Sequence, residues 1–303
     1  MRDGGLVAID WGTSNFRAYL LDAEGRVRDS ATTGDGILQV EGGDFERVLL
    51  SHCGGWLATY PEAPVLLSGM IGSRQGWHEV PYCQCPAGPA EIAQALVLRR
   101  TKQGRALCFV PGLSVASEDG GRDVMRGEET QILGAIEPGD GERRLICLPG
   151  THSKWVEVEG GRVSRFSTFM TGEVYGALVK HTILGRLMDG EAEDADAFAK
   201  GLALADRQGG FLNHLFRVRT AGLFGELPGQ SLAAFLSGIA IGHELAGAFA
   251  EYRPSSVLLI GSEALSRRYV QALARRGIAA ATAPSDAAAR GLYRLARARG
   301  GVR

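Results

Sequence analysis

Short apolar runs and polar turns alternate through the first 70 residues, a pattern typical of β-strands joined by tight turns. The runs at 6–10, 15–22 and 25–32 predict three successive strands, and the run at 63–70 predicts a short buried strand. Between them, the sequence from Asp44 to Ala58 predicts a helix. The predicted order is therefore two hairpins, a crossover helix and a strand.

A stretch rich in Gly and Pro follows, from Gly69 to Pro111, and interrupts the regular pattern. Within it, Ala90 to Lys102 predicts a short helix and the apolar run at 106–112 predicts another strand. A further helix is predicted from Gly127 to about Ile136, where the turn sequence P-G-D-G ends it.

The opening pattern then recurs at 143–169, as a buried strand, a Gly-Thr turn, a second strand, a Gly-Gly hairpin and a third strand. This is an internal repeat of architecture and not of sequence. A mostly helical region is predicted from Gly172 to Leu215, and a buried helix from about Ser231 to Ala250.

The last part of the chain predicts a strand, a Gly turn and a helix start at 255–265, and a closing helix from Asp286 to Ala298. Two similar α/β halves follow from this order. We predict an N-terminal domain at 1–137 and a C-terminal domain at 138–303, with the hinge near 135–142 and the last helix crossing back.

Composition narrows the class of protein. The chain has 303 residues, a net charge of -1, 45% hydrophobic residues and 22% charged residues, which is typical of soluble globular proteins. Without a basic excess, nucleic acid is not a predicted partner. We find neither a signal-peptide pattern nor an apolar window of about 18 residues, so no membrane span is predicted. The five cysteines lack zinc-finger spacing and indicate reduced thiols in a cytoplasmic protein.

Small polar residues form the first turn, directly after the first predicted strand. Gly12, Thr13, Ser14 and Asn15 offer backbone N–H groups and hydroxyls in one concavity, which suits phosphate oxygens. Asp10 would repel a bare phosphate, but Mg²⁺ binds carboxylate and phosphate oxygens together. The turn therefore predicts a magnesium-phosphate site; the alternative is an ordinary hairpin in which Asp10 caps a turn.

The recurrence of the pattern brings a second turn with similar chemistry. It offers Gly150, Thr151 and Ser153 as phosphate-binding residues and Lys154 as a cation that either binds phosphate or lies at the surface. His152, in the same turn, fits a hydrogen-bond donor better than a ligand or base.

A third turn, at Gly261 and Ser262, joins a predicted strand to a predicted helix and could support the nucleoside of a nucleotide. The alternative is a routine β-α connection. Neither a G-x-G-x-x-G nor a P-loop sequence is present, so these common nucleotide motifs are not supported.

These elements, in this order, resemble the actin/Hsp70/sugar-kinase superfamily, and six stretches resemble the 2-dehydro-3-deoxygalactonokinase family. They are AIDWGTSNFRAYL, SGMIGSRQGW, VPGL, VMRGEETQILGA, PGTHSKWV and FLSGIAIG. The family pattern has the Ser and Thr after Gly12 in the opposite order, a swap that keeps both hydroxyls.

The resemblance implies an α/β fold of two RNase H-like domains with mixed sheets, the actin-like ATPase fold, with ATP in the cleft between the domains. It implies a kinase that uses ATP and Mg²⁺ to phosphorylate the 6-hydroxyl of 2-dehydro-3-deoxygalactonate or a related 2-keto-3-deoxy sugar acid. The implied partners are these small molecules, with a homodimer as a further option.

The resemblance also implies that an acidic residue at the start of the helix after Gly127 faces the acceptor hydroxyl. Glu128 and Glu129 both fit, because carboxylates at a helix N-terminus stay ionised. Adjacent helix residues point about 100° apart, so the choice between them stays open. The alternative is that both only stabilise the helix start.

A sugar acid carries a carboxylate, which an Arg guanidinium matches. Arg126 and Arg74 are the candidates, and either could instead form a surface ion pair. In the loop around Arg74, Gly69 permits close approach, Ser73 offers a hydroxyl and Trp77 offers an apolar wall.

Two other classes of function remain open at this point. A phosphatase or polyphosphatase of the same superfamily would use water in place of the sugar hydroxyl, although the sequence lacks the basic residues that a phosphate chain would need. A non-enzymatic ATP-binding scaffold would need polymer or peptide surfaces, for which we find no appended segment.

Overall fold

The computed structural model describes residues 5–116, 120–137, 141–190 and 192–300. The chain divides into two compact units. The first comprises Met1–Arg143, Glu157–Phe166 and Ala283–Arg303, and the second comprises Arg144–Val156 and Ser167–Thr282. The predicted domain boundary at 137/138 stays a prediction, and residues 138–140 beside it lie outside the described residues.

The strands, in chain order, are β1 (Leu6–Trp11), β2 (Phe16–Leu21), β3 (Val27–Thr33), β4 (Val65–Ser68), β5 (Cys83–Gln84), β6 (Val97–Arg100), β7 (Ala106–Phe109), β8 (Leu113–Ala116), β9 (Arg122–Met125), β10 (Arg144–Leu148), β11 (Ser153–Glu159), β12 (Arg162–Phe169), β13 (Ser256–Leu259) and β14 (Ala279–Thr282). The α-helices are α1 (Phe45–Thr59), α2 (Pro89–Gln94), α3 (Glu128–Ala135), α4 (Thr171–His181), α5 (Ala195–Ala205), α6 (Gly210–Leu223), α7 (Leu232–Glu251), α8 (Glu263–Arg275) and α9 (Ala287–Ala298). Short 3₁₀ turns lie at Ile37–Gln39, Glu41–Gly43, Met70–Gly72, Gly185–Leu187 and Gly229–Ser231.

A six-stranded mixed sheet organises the first unit, in the order β3-β2-β1-β4-β7-β6. The strands β1, β2 and β3 form antiparallel neighbours, whereas β4 runs parallel to both β1 and β7. Its core includes Val7, Ile9 and Trp11 of β1, which pack with Phe16 of β2 and Leu49 of α1. A smaller three-stranded sheet, β5-β8-β9, belongs to the same unit.

The second sheet has the order β12-β11-β10-β13-β14, with β13 parallel to β10 and to β14. In the larger sheet, the strands β3-β2-β1-β4-β7 follow the same scheme. In both sheets, three strands that are consecutive in the chain lie side by side in reverse order, and two later strands follow beside the first of them. The predicted internal repeat of architecture is therefore confirmed in the sheet order.

Helix α7 forms the centre of the second unit. Leu236, Ile239 and Leu245 are buried there with Trp155 of β11 and Tyr269 of α8. By length and composition, Gly229–Glu251 is the one helix among the described residues that could cross a membrane, but 78% of its apolar window is buried inside the protein, as in a core helix.

Most predicted helices are confirmed, and one is wrong in its second half. Asp44 caps α1, because its carboxylate accepts a hydrogen bond from the Arg47 backbone N–H at 3.4 Å. The helix predicted from Ala90 to Lys102 ends at Gln94. Residues from Val97 form the edge strand β6, antiparallel to β7, because tertiary pairing there outweighs local helix propensity.

The last helix belongs to the first unit, where α9 packs on α3, α2 and β1. Gly134 of α3 and Gly291 of α9 let the two helix backbones touch. A Cβ atom at Gly134 would lie 1.8 Å from the Ala287 carbonyl oxygen, and one at Gly291 would lie 1.8 Å from that of Thr130. Only glycine fits at this crossing.

Candidate active site

The predicted site residues of the first unit come together at one edge of the larger sheet. Because β1 and β4 are parallel and Asp10 lies opposite Ser68, the turns that follow both strands leave from the same edge. The Ser68 hydroxyl donates to the Ile9 carbonyl oxygen at 3.3 Å, and the Thr130 hydroxyl of α3 donates to the Ser68 hydroxyl at 3.5 Å. The start of α3 therefore reaches the same place.

Backbone hydrogen bonds fix the conformation of the first polar turn. The Gly12 N–H donates to the Asn15 carbonyl oxygen at 2.9 Å, and the Ile37 N–H donates to the Gly12 carbonyl oxygen at 3.0 Å. Thr13, Ser14 and Asn15 are exposed. Their hydroxyl and amide groups are thus available to a ligand on a turn that is already ordered.

Asp10 is buried, and its Oδ2 accepts a hydrogen bond from Arg17 Nη1 at 3.3 Å. Burial raises the pKa of this carboxyl, and the Arg17 guanidinium opposes the rise. A Cβ atom at Gly69, where φ is +90°, would lie 3.3 Å from Asp10 Oδ1; one at Gly127 would lie 3.1 Å from the Gly69 Cα. These two glycines keep space beside the carboxylate.

The two carboxylates at the start of α3 have different surroundings. Glu128 is partly exposed, and its Oε2 accepts a hydrogen bond from the Arg126 backbone N–H at 3.0 Å. Glu129 is fully buried, and its Oε2 accepts from the Gly127 N–H at 2.6 Å while Oε1 has no hydrogen-bond partner. Burial, together with the neighbouring Glu128 charge, raises the pKa of Glu129 to about 8.

Arg126 is buried with unused hydrogen-bond donors. Its Nη2 donates to the Val80 carbonyl oxygen at 2.7 Å and its guanidinium lies 4.4 Å from the centre of the Tyr82 ring, but Nε and Nη1 have no partner. The hydroxyl of Ser73 is also buried without a partner. A Cβ atom at Gly72, next to Ser73, would lie 3.1 Å from Arg126 Nη1.

The remaining loop candidates differ from Arg126. Arg74 is exposed. Trp77 is half-buried against aromatic neighbours, with ring centres 6.3 Å from Phe45 and 6.1 Å from Phe109. Arg126, rather than Arg74, is therefore the buried cation with hydrogen-bond donors available to a ligand.

In the second unit, the turn after β10 is held by the start of α4. A Cβ atom at Gly172 would lie 2.4 Å from the Gly150 carbonyl oxygen, and the Glu173 N–H donates to the Thr151 carbonyl oxygen at 3.0 Å. The side chain of His152 pairs with that of Glu173 at 2.5 Å. Gly150 and Thr151 thus lie at a fixed, accessible turn.

Two residues assigned to this turn lie inside β11. Ser153 is buried, with its hydroxyl 3.1 Å from that of Tyr269. Lys154 is also buried, and its Nζ donates to the Thr168 hydroxyl at 2.8 Å. Neither side chain is at the exposed face of the turn. Ser153 and Lys154 could therefore affect a bound phosphate only indirectly, by fixing the position of β11.

The third turn leaves β13 beside the end of β10. The Ile260 N–H donates to the Cys147 carbonyl oxygen at 3.0 Å, and a Cβ atom at Gly261 would lie 3.5 Å from Pro149. Ser262 is exposed, and its hydroxyl caps α8 by accepting from the Leu265 N–H at 3.4 Å. The predicted nucleoside support therefore lies next to the 149–152 turn.

A buried carboxylate that the sequence analysis missed lies under the 149–152 turn. Glu244 of α7 accepts hydrogen bonds from Trp155 Nε1 at 2.8 Å and from the Tyr269 hydroxyl at 2.7 Å, and it is also bonded to the side chains of Thr171 and Ser153. Burial raises the pKa of Glu244 although these bonds oppose the rise. This carboxylate joins β11, α4, α7 and α8. The available signal was a Glu in the interior of a long apolar helix.

We expect Glu244→Gln to lower the free energy of unfolding by about 1–3 kcal/mol, because the amide NH₂ cannot accept a bond that the carboxylate accepts. Urea unfolding measures this effect. Glu226→Gln, at an exposed position of the same unit, serves as the control, and equal effects in the two variants would contradict the assignment.

Among the described residues, no group of three or more His, Cys, Asp or Glu side chains is arranged to hold a metal ion. Asp10 is thus the candidate carboxylate ligand at the first turn. This arrangement is compatible with Mg²⁺, which commonly takes one or two carboxylates, with water and substrate phosphates as its other ligands.

Comparison with known proteins identifies the family. The sequence model of the 2-keto-3-deoxy-galactonokinase family matches residues 10–295. DgoK1 of Rhizobium meliloti (strain 1021), assigned as a 2-dehydro-3-deoxygalactonokinase, is 38% identical over 97% of this chain and 97% of its own length. The 2-dehydro-3-deoxygalactonokinase of Escherichia coli (strain K12) is 34% identical over 93% of this chain and 94% of its own.

A crystal structure from Sinorhizobium meliloti, of a protein assigned the same activity, superposes with a TM-score of 0.86 at 36% identity and covers 97% of this chain and 98% of its own. With the mixed sheets described above, the predicted α/β class with two RNase H-like domains is confirmed. The chain belongs to the 2-keto-3-deoxy-galactonokinase family.

Proposed function

We propose that the protein transfers the γ-phosphoryl group of ATP to the 6-hydroxyl of 2-dehydro-3-deoxygalactonate. The observation that carries this proposal is the buried Arg126 guanidinium, which has two unpartnered N–H groups and lies two residues before Glu128. A sugar acid needs a cation for its carboxylate and a base for its hydroxyl. The same short segment supplies both.

In this proposal Arg126 binds the substrate carboxylate, with the Ser73 hydroxyl as a second donor. A charge-assisted pair at a buried guanidinium is strong and directional, and it selects an acid over a neutral sugar. Gly69 and Trp77 shape the loop around it, and Arg74 lies at its exposed side.

We assign the role of general base to Glu128. A base must be ionised and within reach of the substrate hydroxyl. Glu128 is partly exposed, whereas Glu129 is fully buried and its pKa of about 8 keeps it largely protonated at neutral pH. Glu129 then holds Gly127 in place through its bond to the Gly127 N–H.

The first turn, Gly12 to Asn15, would bind phosphate oxygens, and Asp10 would hold Mg²⁺ beside them. Gly69 and Gly127 leave the position beside Asp10 Oδ1 free of the Cβ atoms that any other residue would place there. When bound, Mg²⁺ neutralises charge on the transferring phosphoryl group. Asp10 orients that ion, and Arg17 keeps the carboxylate in position.

The second unit would hold the nucleotide through backbone groups at Gly150 and Thr151, with Gly261 and Ser262 beside the nucleoside. Both turns are exposed and fixed by neighbouring elements. We expect the reaction to take place in the cytoplasm.

Coupled ADP release tests the proposal. The panel is 2-dehydro-3-deoxygalactonate, its gluconate epimer, galactonate and glucose, each with ATP and Mg²⁺. We expect turnover with the first compound to exceed that with the others. Turnover with both epimers would widen the substrate class, ADP release without any sugar would indicate a hydrolase, and nucleotide binding without turnover would indicate a scaffold.

Arg126→Gln should raise the KM for the sugar acid by about 10- to 100-fold, the effect of losing one charge-assisted hydrogen bond. The KM for ATP should change little, because Arg126 does not belong to the phosphate turns. Arg74→Gln is the matched control and should leave both constants nearly unchanged. Initial rates, with each substrate varied in turn, give the two KM values of each variant. A larger increase in the KM for the sugar acid in Arg74→Gln would assign the carboxylate to Arg74 instead.

A further inference from the structure

A groove in the second unit lies between one face of α5 and one face of α6. Its volume is about 490 Å³, within the range of small-molecule sites. One side includes Lys200 and Leu204 of α5 and Arg207 just after it, and the other side includes Asn213 and Arg217 of α6. Lys200 and Leu204, like Asn213 and Arg217, are four residues apart, so each pair lies on one face of its helix.

The floor of the groove is apolar, and its rim is basic. Leu204, Ala221, Leu227 and Phe235 line the lower part. His214, also at the wall, is fixed by its ring nitrogens, one 2.9 Å from His243 Nε2 and the other 3.1 Å from the Gln208 carbonyl oxygen. It therefore forms part of a rigid wall.

Three cations, Lys200, Arg207 and Arg217, line this groove with one carboxylate, Glu226. None of the three cations makes an ion pair or a side-chain hydrogen bond with another residue in the described part of the chain. In the same unit, by contrast, Arg275 is paired with an acidic side chain. Because the three cations outnumber the one carboxylate in this concave site, they repel one another and attract an anion.

The positions of the cations on both sides of the groove indicate more than one anionic group. Lys200 belongs to α5, and Arg207 lies two residues beyond the end of that helix. Arg217 and the amide of Asn213 face them from α6. A single inorganic phosphate would engage only part of this set.

We propose that the groove binds a small organic polyanion with a phosphate or carboxylate group at each end of a short body. The basic rim binds the two charged ends, and the apolar floor contacts the body. The site shares no residue with the turns at 149–152 and 261–262, so it is a second site, and it does not depend on the proposed kinase activity.

Isothermal titration with 6-phosphogluconate, which carries both groups, tests this site. We expect wild type to bind it, and the double variant Arg207→Gln/Arg217→Gln to weaken the Kd by at least about tenfold, as the loss of two charge-assisted contacts implies. Arg253→Gln, an exposed arginine of the same unit outside the groove, should leave the Kd unchanged. Inorganic phosphate and AMP serve as probes with one charged end.

Arg126→Gln separates the groove from the proposed active site. If Arg126→Gln abolishes the binding and the groove variants do not, the anion binds at the active site and the proposal is wrong. Equal weakening by Arg253→Gln, equal binding of inorganic phosphate, or no binding to wild type would also overturn it. Thermal unfolding checks that each variant is folded, and Lys200→Gln replaces the double variant if that one is not.

Discussion

Glu128→Gln is expected to lower kcat by about 10²- to 10⁴-fold, the usual contribution of a general base, with little change in the KM for ATP. Glu129→Gln, one residue away, is expected to keep most of the activity. The reason is the difference in surroundings, because Gln resembles the protonated acid that Glu129 is at neutral pH. Single-turnover and steady-state rates of both variants measure the contrast.

The pH dependence of stability gives a second readout for the same pair. The pKa of Glu129 is about 8 in the folded protein, against an ordinary value of 4.5. Between these values the unfolded chain binds fewer protons than the folded one, so stability falls as pH rises. The stabilisation that Glu129 contributes to the free energy of unfolding is complete below pH 4.5 and is lost as the pH rises through about 8.

Glu129→Gln removes this dependence, so its free energy of unfolding should rise relative to wild type as pH increases through that window. Urea unfolding at several pH values between about 5 and 9 measures the difference. Loss of activity in Glu129→Gln with full activity in Glu128→Gln would exchange the two roles.

Gly134→Ala is expected to lower the free energy of unfolding by more than about 3 kcal/mol, because the new methyl group would overlap the Ala287 carbonyl oxygen at the α3–α9 crossing. Gly291→Ala should have a similar effect through the Thr130 carbonyl oxygen. Since both helices consist of rigid backbone at this point, the strain cannot be relieved by a change of rotamer.

Gly55→Ala is the matched control for this pair. It lies in α1, where no atom lies within 4 Å of the added Cβ atom. The substitution should therefore stabilise the protein by up to about 1 kcal/mol through helix propensity. Urea unfolding measures the free energy of unfolding of the three variants. Similar stability of all three would show that the α3–α9 crossing tolerates a methyl group.

The sequence predicted the opening strands of the two larger sheets because they carry a local signal, but it did not predict the small sheet of β5, β8 and β9. The strands β1 and β10 are apolar runs, each with a Gly turn after it, and the turns at Gly12 and Gly150 were found for this reason. By contrast, β6 was predicted as helix, and β14, with the sequence A-A-A-T, was not predicted. Both strands exist because a neighbouring strand supplies their hydrogen bonds.

The side-chain environments could not be predicted in the same way. Arg126 and Arg74 look alike in sequence, and only the fold buries the first against Tyr82 and exposes the second. Glu244 meets Trp155 and Tyr269, which are 89 and 25 residues away along the chain. Such long-range contacts leave no periodic pattern, so roles that depend on burial need the tertiary structure.

The return of α9 to the first unit also constrains the order in which the protein can be made. A nascent chain that has reached the end of the second unit still lacks the helix that covers α3, since α9 begins only at Ala287. Until then the face of α3 around Gly134 lacks the helix that packs on it, although the start of α3 already contacts Ser68 and Gly69. The first unit is therefore completed only after the second unit has been synthesised, although most of its strands are made first.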